Sequence, residues 1–158
     1  MPAFLKPPAL DPGEVTTAIG SAYPEPFKLR VSTRCKQRLG DALGLKSFGV
    51  NLTTLPLGAV SALRHWHSHE DEFIYVLKGE LVLVTNDGEQ LLGPGMCAGF
   101  PAGKADGHCL INRSSKQAVY LEVGTRHPED AVTYPDDDIV GQATPKGRRF
   151  THKDGRPY

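Results

Sequence analysis

The 158-residue chain has no excess charge of either sign, since 18 Lys and Arg balance 18 Asp and Glu. That balance removes the steering by which a domain finds nucleic acid or an anionic membrane. No Lys/Arg-rich block is present either, and Arg148-Arg149 is too short to count as one. Cysteine is scarce: Cys35, Cys97 and Cys109 make an odd set with no CxxC spacing. Such a set reads as reduced thiols in a cytoplasmic protein, with Cys97 and Cys109 expected as small buried core residues. Long apolar runs are also missing. None approaches the ~20 residues of a membrane span, and the N-terminal residues lack the ~7–15-residue apolar core of a secretion signal. A soluble cytoplasmic chain is expected, with neither a nucleic acid nor a membrane as partner.

Hydrophobic residues make up 39% of the chain, an ordinary globular share, and the length suits one domain with one core. Residues 1–30 are punctuated by Pro7-Pro8, Asp11-Pro12-Gly13 and Tyr23-Pro24-Glu25-Pro26, so regular structure is not expected there. Tyr23 and Phe27 are the candidate anchors of this segment. The run 32–42 is a candidate short helix, with Ser32 or Thr33 as N-cap and Gly40 and Gly44 limiting its length.

From residue 48 the texture changes. Short β-branched and aromatic runs alternate with turn signals such as Lys78-Gly79, Asn86-Asp87-Gly88 and Gly93-Pro94-Gly95. Many short strands with Gly/Pro turns predict an all-β barrel or sandwich, and Asn86-Asp87-Gly88 predicts a hairpin. The expected organisation is an N-terminal arm over 1–45 packed on the barrel, a barrel over 46–125, and a polar C-terminal extension over 126–158. No internal repeat is visible.

The segment Leu63-Arg64-His65-Trp66-His67-Ser68-His69-Glu70-Asp71-Glu72 concentrates histidine and acid. Side chains two apart on a strand share a face, so His65 and His67 can chelate one ion while Trp66 points away. Glu72 opens the next apolar run and can reach that ion from an adjacent strand. A shifted pair, His67 with His69, has the same parity. Imidazole nitrogens with a carboxylate suit a divalent ion such as Zn, Mn, Fe or Ni.

These residues resemble the cupin family. The segment Gly58 to Gly79 is similar to its first motif, G(X)5HXH(X)3,4E(X)6G, with the leading glycine one residue early. Gly95, Pro101, Gly103, His108 and Asn112 resemble the second, G(X)5PXG(X)2H(X)3N. Here four residues, Lys104 to Gly107, stand where the pattern has two. The resemblance implies a double-stranded β-helix, the cupin or jelly-roll barrel, with irregular extensions at both ends. It implies one divalent metal ion held by His65, His67, Glu72 and His108, with Asp106 as rival to His108. Phe100, Glu122 and Lys104 are candidate substrate contacts, although Lys104 equally reads as an exposed loop lysine. The resemblance extends to small sugar-phosphate-isomerase-like proteins acting on a small-molecule substrate, with Glu122 or His69 as candidate base. A non-haem iron dioxygenase and a non-catalytic metabolite binder are the alternatives. Assembly as a homodimer is expected, with both extensions as candidate exchanged segments.

Overall fold

The structure, a computed structural model, describes residues 5–158; the first four residues of the expected arm lie outside it. Two short 3-10 turns, Pro12–Glu14 and Phe27–Val31, flank strand β1 (Thr17–Ile19). Then come β2 (Cys35–Arg38), the single turn α1 (Leu39–Ala42) and β3 (Phe48–Leu55). Seven more strands build the barrel proper: β4 (Trp66–His67), β5 (Glu72–Lys78), β6 (Leu81–Thr85), β7 (Gly88–Leu92), β8 (Cys97–Phe100), β9 (Cys109–Ile111) and β10 (Ala118–Thr125). Strands β11 (Ala131–Thr133), β12 (Val140–Thr144) and β13 (Gly147–Thr151) follow. Among the described residues no helix is long and apolar enough to cross a membrane.

All named strand pairings are antiparallel. One sheet runs β1-β2-β3-β10-β5-β8, a second β13-β12-β11-β4 and a third β7-β6-β9. Isolated bridges, Val60 to Ile111 and His65 to His108, pair the segment leading into β4 with β9 and the residue before it. The Asn86-Asp87 turn closes the β6–β7 hairpin with Thr85 opposite Gly88, as its residues predict.

Strand parity sorts the side chains. On β5, Ile74 and Val76 are buried while Phe73, Tyr75 and Leu77 face out. Glu72 has the parity of Ile74, so it projects inward. On β10 the inward set runs Ala118, Tyr120, Glu122. The buried apolar residues fall into two clusters. One contains Leu55, Val76, Leu81, Leu83 and Tyr120; the other contains Phe27, Leu63, Val132, Tyr134 and Ile139, joined by Tyr23 and Phe150. Full burial of one such aliphatic side chain stabilises the fold by about 1.5–3 kcal/mol. Gly79 is required by its turn: its φ is 75°, and a Cβ there would lie 2.6 Å from the Gln117 carbonyl oxygen.

Three expectations need correction. Residues 35–38 are strand, not helix, and only 39–42 turn helically, without a Ser32 or Thr33 cap. The run pairs with β3 on one edge and β1 on the other. Its inward residues are Arg34 and Lys36 rather than apolar ones, which hid the strand alternation. Cys97 is exposed on the outer face of β8, while Cys109 is buried as expected. The end segments read as irregular carry β1, β2 and β11 to β13. These strands are short, and Val132 of β11 is the one side chain they bury fully, too little to register as a pattern. Both segments pack within the one chain, where Tyr23 meets Tyr134 and Phe150 with ring centroids 5.7 and 5.5 Å apart.

Candidate metal centre and its cavity

A cavity of about 240 Å³ lies between the two apolar clusters. Its size suits a small metabolite rather than a polymer. His65, His67, Glu72 and His108 all line it. His67 sits on β4, held opposite Val132 of β11. His65 and His108 face each other across a backbone bridge, with N–H to carbonyl distances of 3.1 and 2.8 Å. That bridge fixes His108 beside the first motif whatever the length of the loop before it. In the lengthened loop 104–107, Lys104 and Ala105 are exposed, and the buried Gly107 lets the loop pass Pro135, whose Cγ would be 2.8 Å from an added Cβ.

Three imidazoles converge on one carboxylate oxygen. Glu72 Oε2 lies 2.8 Å from His108 Nε2, 3.4 Å from His65 Nε2 and 3.5 Å from His67 Nε2. The far nitrogens explain the aim. His65 Nδ1 is 2.8 Å from the Leu63 carbonyl oxygen, which can only accept, so Nδ1 carries the proton. His67 Nδ1 is likewise 2.7 Å from Asp130 Oδ2. In the neutral form each of these two rings would therefore turn an Nε2 lone pair toward Glu72. Lone pairs facing a carboxylate repel unless the rings are protonated or a cation sits among them. His108 Nδ1 is buried without a partner, and the ring stacks flat on Phe100 at 3.5 Å. His65, His67 and Glu72 bring one donor atom each within 4.8 Å of one another, with both far nitrogens held, and His108 reaches the same carboxylate oxygen, a set that matches the donors of a divalent metal. The residues present fit the ion.

The electrostatics agree. Burial opposes the Glu72 charge, but hydrogen bonds from His108 and His65 and the charges of His65 and His67 hold its carboxyl well below the usual range. Burial also disfavours charge on His67, yet the Asp130 hydrogen bond and the Glu72 charge raise its pKa. His108 moves the other way, lowered by burial and by the neighbouring His65 charge despite Glu72. A second cluster, His67, Glu70 and Asp130, also has the composition of a metal site. It is filled instead by Arg148, 3.1 Å from Asp130 and 3.6 Å from Glu70.

The other candidates separate. Phe100 and Glu122 line the cavity. Glu122 accepts from Lys36 Nζ at 2.5 Å, Asn51 Nδ2 at 3.0 Å and the Tyr120 hydroxyl at 3.3 Å. Lys104 is 65% exposed and, with Trp66 and Asp106, borders a small second cleft that shares His67, Glu72, Phe100 and His108 with the cavity. Asp106 accepts the Asn86 amide at 2.9 Å and does not join the imidazole cluster. His69 bonds Ser68 and stacks on His127, outside the cavity lining. Sequence reasoning missed Arg34, Lys36 and Arg148, which bring three positive charges to the wall, and Asp130 behind His67. Strand parity of Arg34 with Lys36 was the one available signal.

Comparison with known proteins places this geometry. The family model described as a cupin domain matches residues 51–124. No curated protein sequence matches the chain. A crystal structure described as a sugar phosphate isomerase from a cupin superfamily, from Silicibacter pomeroyi, is 46% identical over 96% of both chains, with a TM-score of 0.92. A putative sugar phosphate isomerase from Acidithiobacillus ferrooxidans is 28% identical over 80% of each chain, with a TM-score of 0.71. The polyketide cyclase RemF of Streptomyces resistomycificus, at 20% identity over 80% of this chain and 84% of its own, shares the fold with a TM-score of 0.62.

Proposed function

The chain belongs to the cupin family, and from that premise we propose that it is a metal-dependent isomerase of a small phosphorylated sugar. The observation that carries the reading is the convergence of three imidazole Nε2 atoms on Glu72 Oε2 at the wall of a metabolite-sized cavity. His65, His67, Glu72 and His108 would hold the ion. When bound, a divalent ion of this kind polarises a carbonyl or hydroxyl oxygen as a Lewis acid. The reaction class is drawn from the similarity to a protein described as a sugar phosphate isomerase.

The chain's own residues supply the rest. Asp130 and the Leu63 carbonyl keep His67 and His65 aimed. The two apolar clusters on either side limit the entry of water. Glu122 is the proton carrier: an aldose–ketose interchange removes a proton from one carbon and returns it to its neighbour. Burial raises its carboxyl, but the Lys36 charge and hydrogen bond outweigh that and keep it ionised, ready to accept. Assembly as a homodimer in a reducing compartment belongs to the same reading. The outward row of Phe73, Tyr75 and Leu77 offers an apolar face, and all three cysteines are free.

The test is NMR of metal-loaded protein with phosphorylated aldoses in deuterated water. Ketose formation with deuterium at the carbon next to the carbonyl is expected, along with its loss in Glu122→Gln. Oxygen uptake by the iron-loaded protein without isomerisation would replace this reading with a dioxygenase. Tight binding without product would replace it with a metabolite binder.

A further inference from the structure

Arg34 stands apart from the other charged groups of the cavity. Lys36 is paired with Glu122 at 2.5 Å, and Arg148 with Asp130 and Glu70. The four candidate ligands account for Glu72. Among the described residues Arg34 has no carboxylate within salt-bridge distance. Its guanidinium instead donates to two backbone carbonyls, Ser61 at 2.5 Å and Gly20 at 3.0 Å, and its Nε is buried with no partner. An arginine carries five N–H donors, so several remain unused on a side chain that lines the cavity.

Arg34 is half-buried, with its Nε fully withdrawn from water; a cation so placed without a counter-ion is costly, and two carbonyl dipoles orient a guanidinium without neutralising it. Of the three cationic side chains on the cavity wall, Lys36 and Arg148 are matched by carboxylates and Arg34 is not. We propose that Arg34 is the anion-binding subsite of this cavity and takes the phosphate monoester of the substrate. The reacting end of the substrate then lies toward His65, His67, Glu72 and His108. This rests on the isomerase reading for the substrate's overall class, but not for the anion itself. A guanidinium presents parallel N–H donors to a phosphate, which a lone ammonium cannot do. The carbonyl clamps fix the plane in advance, so little ordering is needed on binding. The Gly20 contact ties the same arginine to the segment 21–23, whose Ser21, Ala22 and Tyr23 form one side of the cavity.

The experiment is calorimetric titration of metal-loaded protein with a pentose 5-phosphate, the parent pentose, the pentonate and inorganic phosphate. Wild type is expected to bind the pentose phosphate most tightly, with inorganic phosphate competing. In Arg34→Met, affinity for the pentose phosphate and for phosphate should fall at least about tenfold, with metal content and pentose affinity unchanged. Arg34→Lys should recover part of the loss. Equal loss of neutral and anionic ligands would show that Arg34 only braces the 20–23 segment, and would overturn the assignment. So would tighter binding of the pentonate than of the phosphate ester. Failure of wild type to bind inorganic phosphate competitively decides the matter without any variant. All these readouts are binding constants, so absence of turnover would count against the isomerase reading and leave the subsite standing.

Discussion

Asp130 Oδ2 lies 2.7 Å from His67 Nδ1, joining residues 63 positions apart, and the Asp130 side chain is wholly buried. The contact assigns the ring's proton and so aims Nε2 at the cavity. Partners of this kind typically change metal affinity by about 10–100-fold. Asp130→Ala should therefore lower affinity for a divalent ion by that order in equilibrium dialysis, with the fold intact by circular dichroism. His67→Ala should lose the ion altogether by elemental analysis. Unchanged affinity in Asp130→Ala would show that β4 alone orients the ring.

Asn112 closes the second motif and serves the fold rather than the chemistry. It is fully buried, donates to the Leu55 and Lys116 carbonyls at 2.8 Å each, and accepts from the Ser114 amide at 3.0 Å. Asn112→Ala strands these groups, and is expected to cost about 2–4 kcal/mol in urea unfolding with ligand geometry preserved. A loss below about 0.5 kcal/mol would contradict this role.

Glu122 gives stability a pH signature. Burial raises its pKa, and the charge and hydrogen bond of Lys36 more than reverse this, so its folded-state value lies below the ordinary ~4.3. A depressed value means that the ionised group stabilises the fold fully above the ordinary carboxylate range. That contribution is lost as pH falls through the folded value. Glu122→Gln should be less stable than wild type by about 1 kcal/mol at pH 7. The gap should narrow steadily at lower pH in parallel denaturation curves; a gap independent of pH would rule the linkage out.

The cysteines separate by burial. Burial pushes the Cys109 thiol up to about 11, with the nearby Arg64 charge offsetting only part of it, whereas Cys97 is exposed. In a Cys35→Ser background at pH 8, a thiol reagent should modify Cys97 rapidly and Cys109 only after denaturant is added, as read by mass spectrometry. Equal rates at both would mean that the region around β9 opens readily.

The readable part of the site was the part encoded locally. His65, His67 and Glu72 lie within eight residues, and strand parity with one turn suffices to join them. His108 was readable only through the second motif, and its inserted loop blurred that. In the fold the His65–His108 bridge brings His108 to the cavity, because cross-strand pairing is indifferent to loop length. The all-β class followed from turns and β-branched runs. Strands β11 to β13 did not, because Val132 is the one side chain they bury fully and the rest looks like polar loop. Arg34 and Asp130 were hidden for a related reason. Each acts through partners that no local period connects to it.

The dependence of β4 on β11 has a temporal consequence. A chain emerging from the ribosome exposes His65 and His67 while Asp130 and Arg148 are still unmade. The histidines then have neither their orienting carboxylate nor their pairing strand. The nascent pair is at most a weak, unselective chelator, and the complete cage comes into being only when the last strands dock. On the proposed metal-binding reading, the choice of ion is thereby deferred from the moment of synthesis to the finished protein.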